Sequence, residues 1–277
     1  MPRLALGVYE TPSAVAKPIT AHALAHGYTH IDTATGYRNE AAVVAGILAS
    51  PLPRSEVFFT TKLPPRLRGY DQTFESIQGV IEGEGLEGLE GYIDLYLIHA
   101  PFGSRADRLG SWRAMLEAQK RGWIRSLGVS NYGVHHLEEL KKWQQEEAAA
   151  GGEPGVLSVN QIEIHPWLRR REIIEWCTRE GVVMEAYCPL LRGKQWEHPV
   201  LKELAEKYGK TQAQVLVRWS LEMGYVPLPK SVREDRVEEN GGVWDWAMEK
   251  EDVERLGAGE EEFNAAGWDP TTEPLER

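Results

Sequence analysis

Eight short apolar runs recur along the chain: LALGV, YTHI, VFFTT, YIDLYLI, IRSLGV, VLSVNQIEI, VVMEAY and YVPLP. Their length and their β-branched or aromatic content suit buried strands. Between them lie stretches in which apolar residues return every three to four positions, as in SAVAKPITAHALAHG, SWRAMLEAQKRG, HHLEELKKWQQEEAAA, REIIEWCTREG and TQAQVLVRWSLEMG. That is the period of a helix with one buried face. Alternation of this kind predicts a parallel sheet whose strands are apolar on both faces because helices cover them. Gly27, Gly122, Gly181 and Gly224 each stand between a helical stretch and the next strand, where a helix C-terminal cap is expected. With no linker-like shift in composition, the eight units predict one α/β domain over residues 1–277, a closed (β/α)8 barrel with a short C-terminal tail. An open doubly wound sheet is disfavoured because no G-x-G-x-x-G follows the first strand. In EGEGLEGLEG (82–91) each glycine costs about 1 kcal/mol relative to alanine in a helix, so the third helix should end early. QQEEAAAGGEPG should finish a helix and continue as a solvated loop.

Composition narrows the partners. With 42% hydrophobic and 26% charged residues, the chain has the makeup of an ordinary globular protein. Its 31 basic and 42 acidic residues give a net charge of −11, which argues against nucleic acid as the main partner while leaving room for one local phosphate site. Cys177 and Cys188 form neither a disulfide framework nor a metal-ligand spacing, and packing roles in a reducing compartment are expected. No metal-ligand spacing stands out elsewhere. The start, MPRLALGVYE, lacks the apolar core of a secretion signal, and no apolar stretch is long enough to span a membrane. A cytoplasmic protein without a membrane partner is expected.

In a (β/α)8 barrel catalytic groups sit at the carboxyl ends of the strands, so polar residues closing apolar runs are the informative ones. The second run ends in Asp32, the third in Lys62, the fourth in His99 and the fifth in Ser130 and Asn131. The sixth carries Gln161 and Glu163, the seventh ends in Tyr187, and Lys230 follows the eighth. Singly, each is a common turn former or buried polar residue; as a set they converge on one rim. Asp32 and Lys62 end neighbouring strands and can form a buried ion pair, costly in an apolar barrel unless function requires it. Tyr37, five residues after Asp32, can lie over Lys62, and a nearby ammonium would depress its phenol pKa. His99 as a neutral donor would complete an oxyanion-type site with the Tyr37 hydroxyl.

DTATGYRNE, TTKL, YIDLYLIH, GVSNY, NQIEIHP, AYCPL and PKSVREDRVEEN resemble, in order and spacing, the successive motifs of the aldo-keto reductases, from LGVY to GWDPT. The resemblance implies reduction of a small-molecule aldehyde or ketone to an alcohol with NADPH, with Tyr37 as proton donor. Lys62 would lower its pKa, Asp32 would hold Lys62, and His99 would orient the carbonyl. It implies that Ser130, Asn131 and Gln161 bind the nicotinamide carboxamide and that Tyr187 stacks on the ring, with Pro189 and Leu190 beside it. Lys230, Ser231, Val232 and Arg236 would hold the adenosine end and Glu239 and Asn240 the adenine. A cation-rich cluster on an acidic chain favours NADPH over NADH.

Three features depart from the family pattern. Met1 lies almost at the first strand, where relatives carry a β-hairpin plugging the barrel bottom, so an uncovered lower mouth is expected. CPLLRGK replaces a Gly-Ser turn, which makes Arg192 or Lys194 a candidate for the cofactor phosphates. Ala100 stands where many relatives place a large aromatic, implying an open pocket. Tyr9, Phe102, Tyr132 and Trp268 are the candidate pocket walls. A monomeric enzyme is expected; the alternatives are a cofactor-binding regulatory subunit of the same fold, and an aldolase-type barrel with Lys62 as its Schiff-base lysine.

Overall fold

The computed structural model describes residues 1–276. Strand β1 (Leu6–Gly7) leads to helix α1 (Ser13–Ala25), β2 (His30–Asp32) to α2 (Glu40–Leu48), β3 (Phe58–Leu63) to α3 (Gly69–Glu82), and β4 (Ile93–Ile98) to α4 (Arg105–Lys120). Then β5 (Ile124–Ser130) leads to α5 (Val134–Ala149), β6 (Leu157–Glu163) to α6 (Arg171–Glu180), and β7 (Val183–Tyr187) to α7 (Pro199–Tyr208) and α8 (Gln212–Glu222). After β8 (Val226–Pro227) come α9 (Glu234–Gly241) and α10 (Lys250–Arg255).

The sheet runs in chain order from β1 to β8, and each neighbouring pair is parallel. Its two edges meet through Ala5 N–H donating to Pro227 O at 3.2 Å and Gly7 N–H to Pro229 O at 3.1 Å, with a parallel bridge between Gly7 and Lys230. The eight-stranded barrel is thereby closed. A Cβ on Gly7 would stand 3.1 Å from Leu228 O, so the missing side chain is what lets the edges approach.

Strand alternation sorts residues between two environments. Ile31, Phe59, Tyr96 and Ile162 face outward into the main core beneath the helices. Leu95, Leu97 and Val159 with Phe58, and Ala5, Val226 and Leu228 with Tyr187, fill the inside. Capping fixes where helices begin: Ser104 Oγ accepts from Asp107 N while Ser104 N donates to the Asp107 carboxylate, and Thr211 and Gln214 repeat the arrangement at α8. The four glycines expected as caps all adopt positive φ. As expected, α3 stops at Glu82, where the glycine-rich stretch begins.

Among the described residues no strand precedes β1. Val183, at the lower end of β7 and in register with the inward Val159, is 40% exposed, whereas His30, lower on β2, is wholly buried, with the Pro2 backbone beside it. The C-terminal segment crosses the upper rim, tied down by an Arg170–Asp269 ion pair of 2.8 Å and by Arg108 Nη2 donating to Leu275 O at 2.9 Å.

Candidate active site

Lys62 is wholly buried, and its ammonium donates to both Asp32 oxygens at 2.7 and 2.8 Å and to Thr33 O at 2.7 Å. All three N–H bonds are spent on these acceptors. Asp32 Oδ2 also receives Gln161 Nε2 at 2.8 Å, so the buried pair is compensated on both sides, the condition under which such a pair is tolerated.

Tyr37 ends a 3-10 turn, Thr35–Tyr37, closed by Arg38 in the left-handed region. Asn39 anchors that turn: its Oδ1 accepts from Thr33 Oγ1, and its Nδ2 donates to Val8 O and Thr11 O. The Tyr37 ring stands 5.5 Å from Lys62 Nζ, 5.8 Å from the His99 ring and 5.0 Å from the Tyr9 ring. The expected depression of its phenol is not what this arrangement produces. Burial, followed by the Asp32 carboxylate, pushes the phenol well above its ordinary value. Tyr37 therefore keeps its proton through neutral pH. Burial, aided by Lys62, lowers the His99 imidazole to about 3, so the ring is neutral as expected.

These groups open on a cavity of about 540 Å³ walled by Tyr9, Tyr37, His99, Tyr187, Arg192 and Trp268, with Asp32, Ser130, Gln161, Pro189, Leu190 and Lys230 also lining it. A second cavity of about 370 Å³ shares Leu190 and Lys230 with the first and continues to Ser231, Arg236, Glu239 and Asn240. The two make one trough from Tyr37 to α9. Thr211 and Gln212 add the start of α8 to its wall, a contribution the sequence reading did not foresee. Neither Lys230 nor Arg236 is ion-paired among the described residues, whereas Arg233 next to them is held by Asp235.

Several expected residues sit elsewhere. Tyr132 is only 2% exposed and packs in the main core against His136, because Asn131 takes a left-handed φ of 61° and turns the chain away from the rim. Phe102 does not line the cavity; its ring backs Trp268 at 6.3 Å, and Trp268 in turn meets His99 edge-on at 5.9 Å. Asn131 is buried: its Nδ2 donates to His99 O and Ser130 Oγ, and its Oδ1 accepts the Tyr187 hydroxyl at 2.8 Å, so it orients Tyr187. Of the two basic candidates in CPLLRGK, Arg192 lines the cavity, while Lys194 donates to Ala265 O at 2.9 Å in the C-terminal segment. Val232 is 44% exposed and lines neither cavity.

Two buried polar residues were passed over in the sequence. Glu185 accepts from Gln161 Nε2 at 2.7 Å, and His30 Nε2 lies 2.8 Å from Thr60 Oγ1 and 3.8 Å from Glu185 Oε1. Each stands two residues before a rim residue, Tyr187 and Asp32, and so shares its inward face; that parity was the available signal. Burial and the Asp32 carboxylate push the Glu185 carboxyl up, and burial lowers His30 to about 3, leaving both neutral beneath the Asp32–Lys62 pair.

Residues 4–260 match the family model described as Aldo/keto reductase family. A glyoxal reductase of Bacillus subtilis (strain 168) is 38% identical over 93% of this chain and 88% of its own length. A Salmonella typhi protein named provisionally as methylglyoxal reductase DkgA is 37% identical over 91% of this chain and 87% of its own length. A solved mutant of Gox0644 in complex with NADPH superposes with a TM-score of 0.84 at 33% identity, covering 98% of this chain and 94% of the other. With its closed eight-stranded barrel and the polar rim it carries, the chain is an oxidoreductase belonging to the aldo/keto reductase family.

Proposed function

We propose that this enzyme uses NADPH to reduce small aldehydes and ketones, short α-dicarbonyls among them, to alcohols, with Tyr37 giving the proton. The observation that carries the reading is the continuous trough from the Tyr37–His99 pair to the cations Lys230 and Arg236, which have no ion-pair partner among the described residues. A trough with this polarity suits an extended dinucleotide with a phosphate at its far end. Lys230, Ser231 and Arg236 hold the 2′-phosphate, and Glu239 and Asn240 flank the adenine. Pro189, Leu190 and Arg192 line the middle, and the Tyr187 ring, steadied by Asn131, supports the nicotinamide. Ser130 Oγ donates to the Gln161 backbone O and accepts from Asn131 Nδ2, and both Gln161 side-chain amide protons are committed to Asp32 and Glu185; the side-chain oxygen Gln161 Oε1 is left to accept from the carboxamide.

The cofactor supplies the hydride when bound. Tyr37 donates its proton to the carbonyl oxygen, and neutral His99 orients that oxygen. The phenol stays protonated until the transfer, and the buried Lys62 charge stabilises the phenolate it leaves. The relatives named for glyoxal and methylglyoxal support the short dicarbonyls. We read the enzyme as a monomer of the cytoplasm, a setting in which Cys177 and Cys188 stay unpaired.

The test is NADPH oxidation by the wild type and by Tyr37→Phe with glyoxal, methylglyoxal and simple aldehydes, alongside cofactor binding followed by tryptophan fluorescence. Turnover by the wild type and a loss of about 10²-fold or more in the variant, with NADPH affinity unchanged, is expected. Wild-type turnover in the variant on every carbonyl would overturn the role of Tyr37. Binding without turnover in the wild type would overturn the enzymatic reading.

A further inference from the structure

On the outer face of the barrel, a few residues ahead of Asp32 in the chain, His22 stands in the last turn of α1 and His26, four positions on, is the residue that caps the helix. Helix α9 packs beside them with Glu234 and Glu238. The two rings stack at 4.0 Å and 24°. His22 Nε2 lies 2.9 Å and His26 Nε2 3.6 Å from the same oxygen, Glu238 Oε1, and His22 Nδ1 lies 3.7 Å from Glu234 Oε2.

Two hydrogen bonds are made here, His26 Nδ1 to His22 O at 2.8 Å and His22 Nε2 with Glu238 Oε1 at 2.9 Å. A carbonyl only accepts, so His26 Nδ1 is a donor; in the neutral ring that leaves the Nε2 lone pair turned toward Glu238, beside His22 Nε2, where a cation can take it.

We propose that His22, His26 and Glu238 bind a divalent transition-metal ion of the zinc type, joining α1 to α9. The ligand atoms lie within 4.8 Å of one another. Metal bonds of about 2.0 Å in a tetrahedral site put ligand atoms about 3.3 Å apart, between the 2.9 and 3.6 Å found here. Imidazole nitrogen with carboxylate selects zinc and its neighbours over magnesium or calcium. The outer contacts also fit, since a metal-binding histidine normally donates its other N–H to a carbonyl or carboxylate: His26 Nδ1 has His22 O, and Glu234 lies on the Nδ1 side of His22. His26 and Glu238 are about half exposed, so water completes the coordination. No metal-ligand spacing shows in the sequence because His22 and His26 read as the ordinary polar end of α1 and Glu238 lies more than two hundred residues further on.

The test is calorimetric titration of the full, untagged chain with Zn²⁺ alone at neutral pH. One site per chain with a Kd of about 10 µM or tighter is expected. His22→Ala, His26→Ala and Glu238→Gln should each weaken it by about tenfold or more, with His26→Gln as the variant that best keeps helix packing and circular dichroism verifying the fold of each. Cys188→Ser should leave binding unchanged. The proposal is overturned if the wild type does not bind zinc, if the folded histidine variants bind like the wild type, or if binding is lost only with Cys188→Ser, which would assign it to the cavity thiol.

Discussion

Lys62 gives every ammonium proton to Asp32 and Thr33, so its influence on Tyr37 acts through space, across the 5.5 Å to the ring. In the mechanism proposed above, its value lies in the product of proton transfer, when the phenolate would otherwise share a buried site with Asp32. Lys62→Met leaves the Asp32 carboxylate buried and unpaired. Breaking one side of such a pair costs about 3–5 kcal/mol, so the urea midpoint should fall together with kcat/KM. Adding Asp32→Asn should restore most of the stability and none of the activity; recovery of both would show that the pair serves only the fold. At this scale the sequence was legible where side chains close strands, as with Asp32, Lys62 and His99. It was illegible for Glu185 and His30, which lie one step lower on the same inward faces, inside runs that read as plain buried strand. Tyr132 was misjudged for a backbone reason, the left-handed turn at Asn131, which no side-chain pattern announces.

Helix α9 has two working faces: one closes the trough with Arg236, Glu239 and Asn240, and the other meets α1 through Glu238. Among the described residues Lys230 and Arg236 have no ion-pair partner, so the energy of pairing is available to a ligand. Lys230→Ala and Arg236→Ala should each weaken NADPH by about 1.5–3 kcal/mol, the worth of a charge-assisted bond, with little effect on NADH; fluorescence quenching titrations with both cofactors decide it. Equal losses would mean that the cluster does not read the 2′-phosphate. The elements themselves were readable from period and punctuation, down to the early end of α3 at its glycines. Less readable was the β7–α7 connection, where Cys188, Leu191 and Arg192 all take left-handed conformations that a non-glycine sequence does not signal.

For the molecule as a whole, buried neutral imidazoles set the response to acid. Burial is the first cause that brings His30, His99 and His136 each to about 3. In the unfolded chain a histidine takes up its proton near pH 6.5, while the folded forms refuse it until far lower. Their contribution is intact above about pH 6.5 and is lost progressively toward pH 3. Glu185, raised in the fold, acts in the opposite sense once the unfolded carboxyl ionises near 4.3. Burial also lowers His165 and raises Glu40, so four imidazoles oppose two carboxyls, and stability rises with pH through the mildly acidic range. Urea midpoints should drop between pH 7.5 and pH 5, and His136→Gln, away from the catalytic rim, should flatten that slope. An unchanged slope would mean that His136 is protonated in the fold. The barrel class was legible because eight apolar runs recur with helical intervals; the rim's convergence followed from closure, which the runs alone do not encode.

That closure is uneven. Strands β1 and β8 hold only two residues each, against six and seven in β4 and β5, and their junction rests on Ala5 N–H to Pro227 O and Gly7 N–H to Pro229 O. A ring with one thin joint opens there first, since local unfolding follows the fewest ladder bonds. Gly7 on one side and Leu228 and Lys230 on the other line the cavity, so a dinucleotide bound in the trough as proposed would bridge the joint and act as a clasp. Native-state hydrogen exchange should therefore find the Ala5 and Gly7 amides the fastest of the barrel in the free protein, and NADPH should slow them far more than the amides in the middle of β4. Equal protection across the barrel would mean that the ligand rests on a ring already rigid.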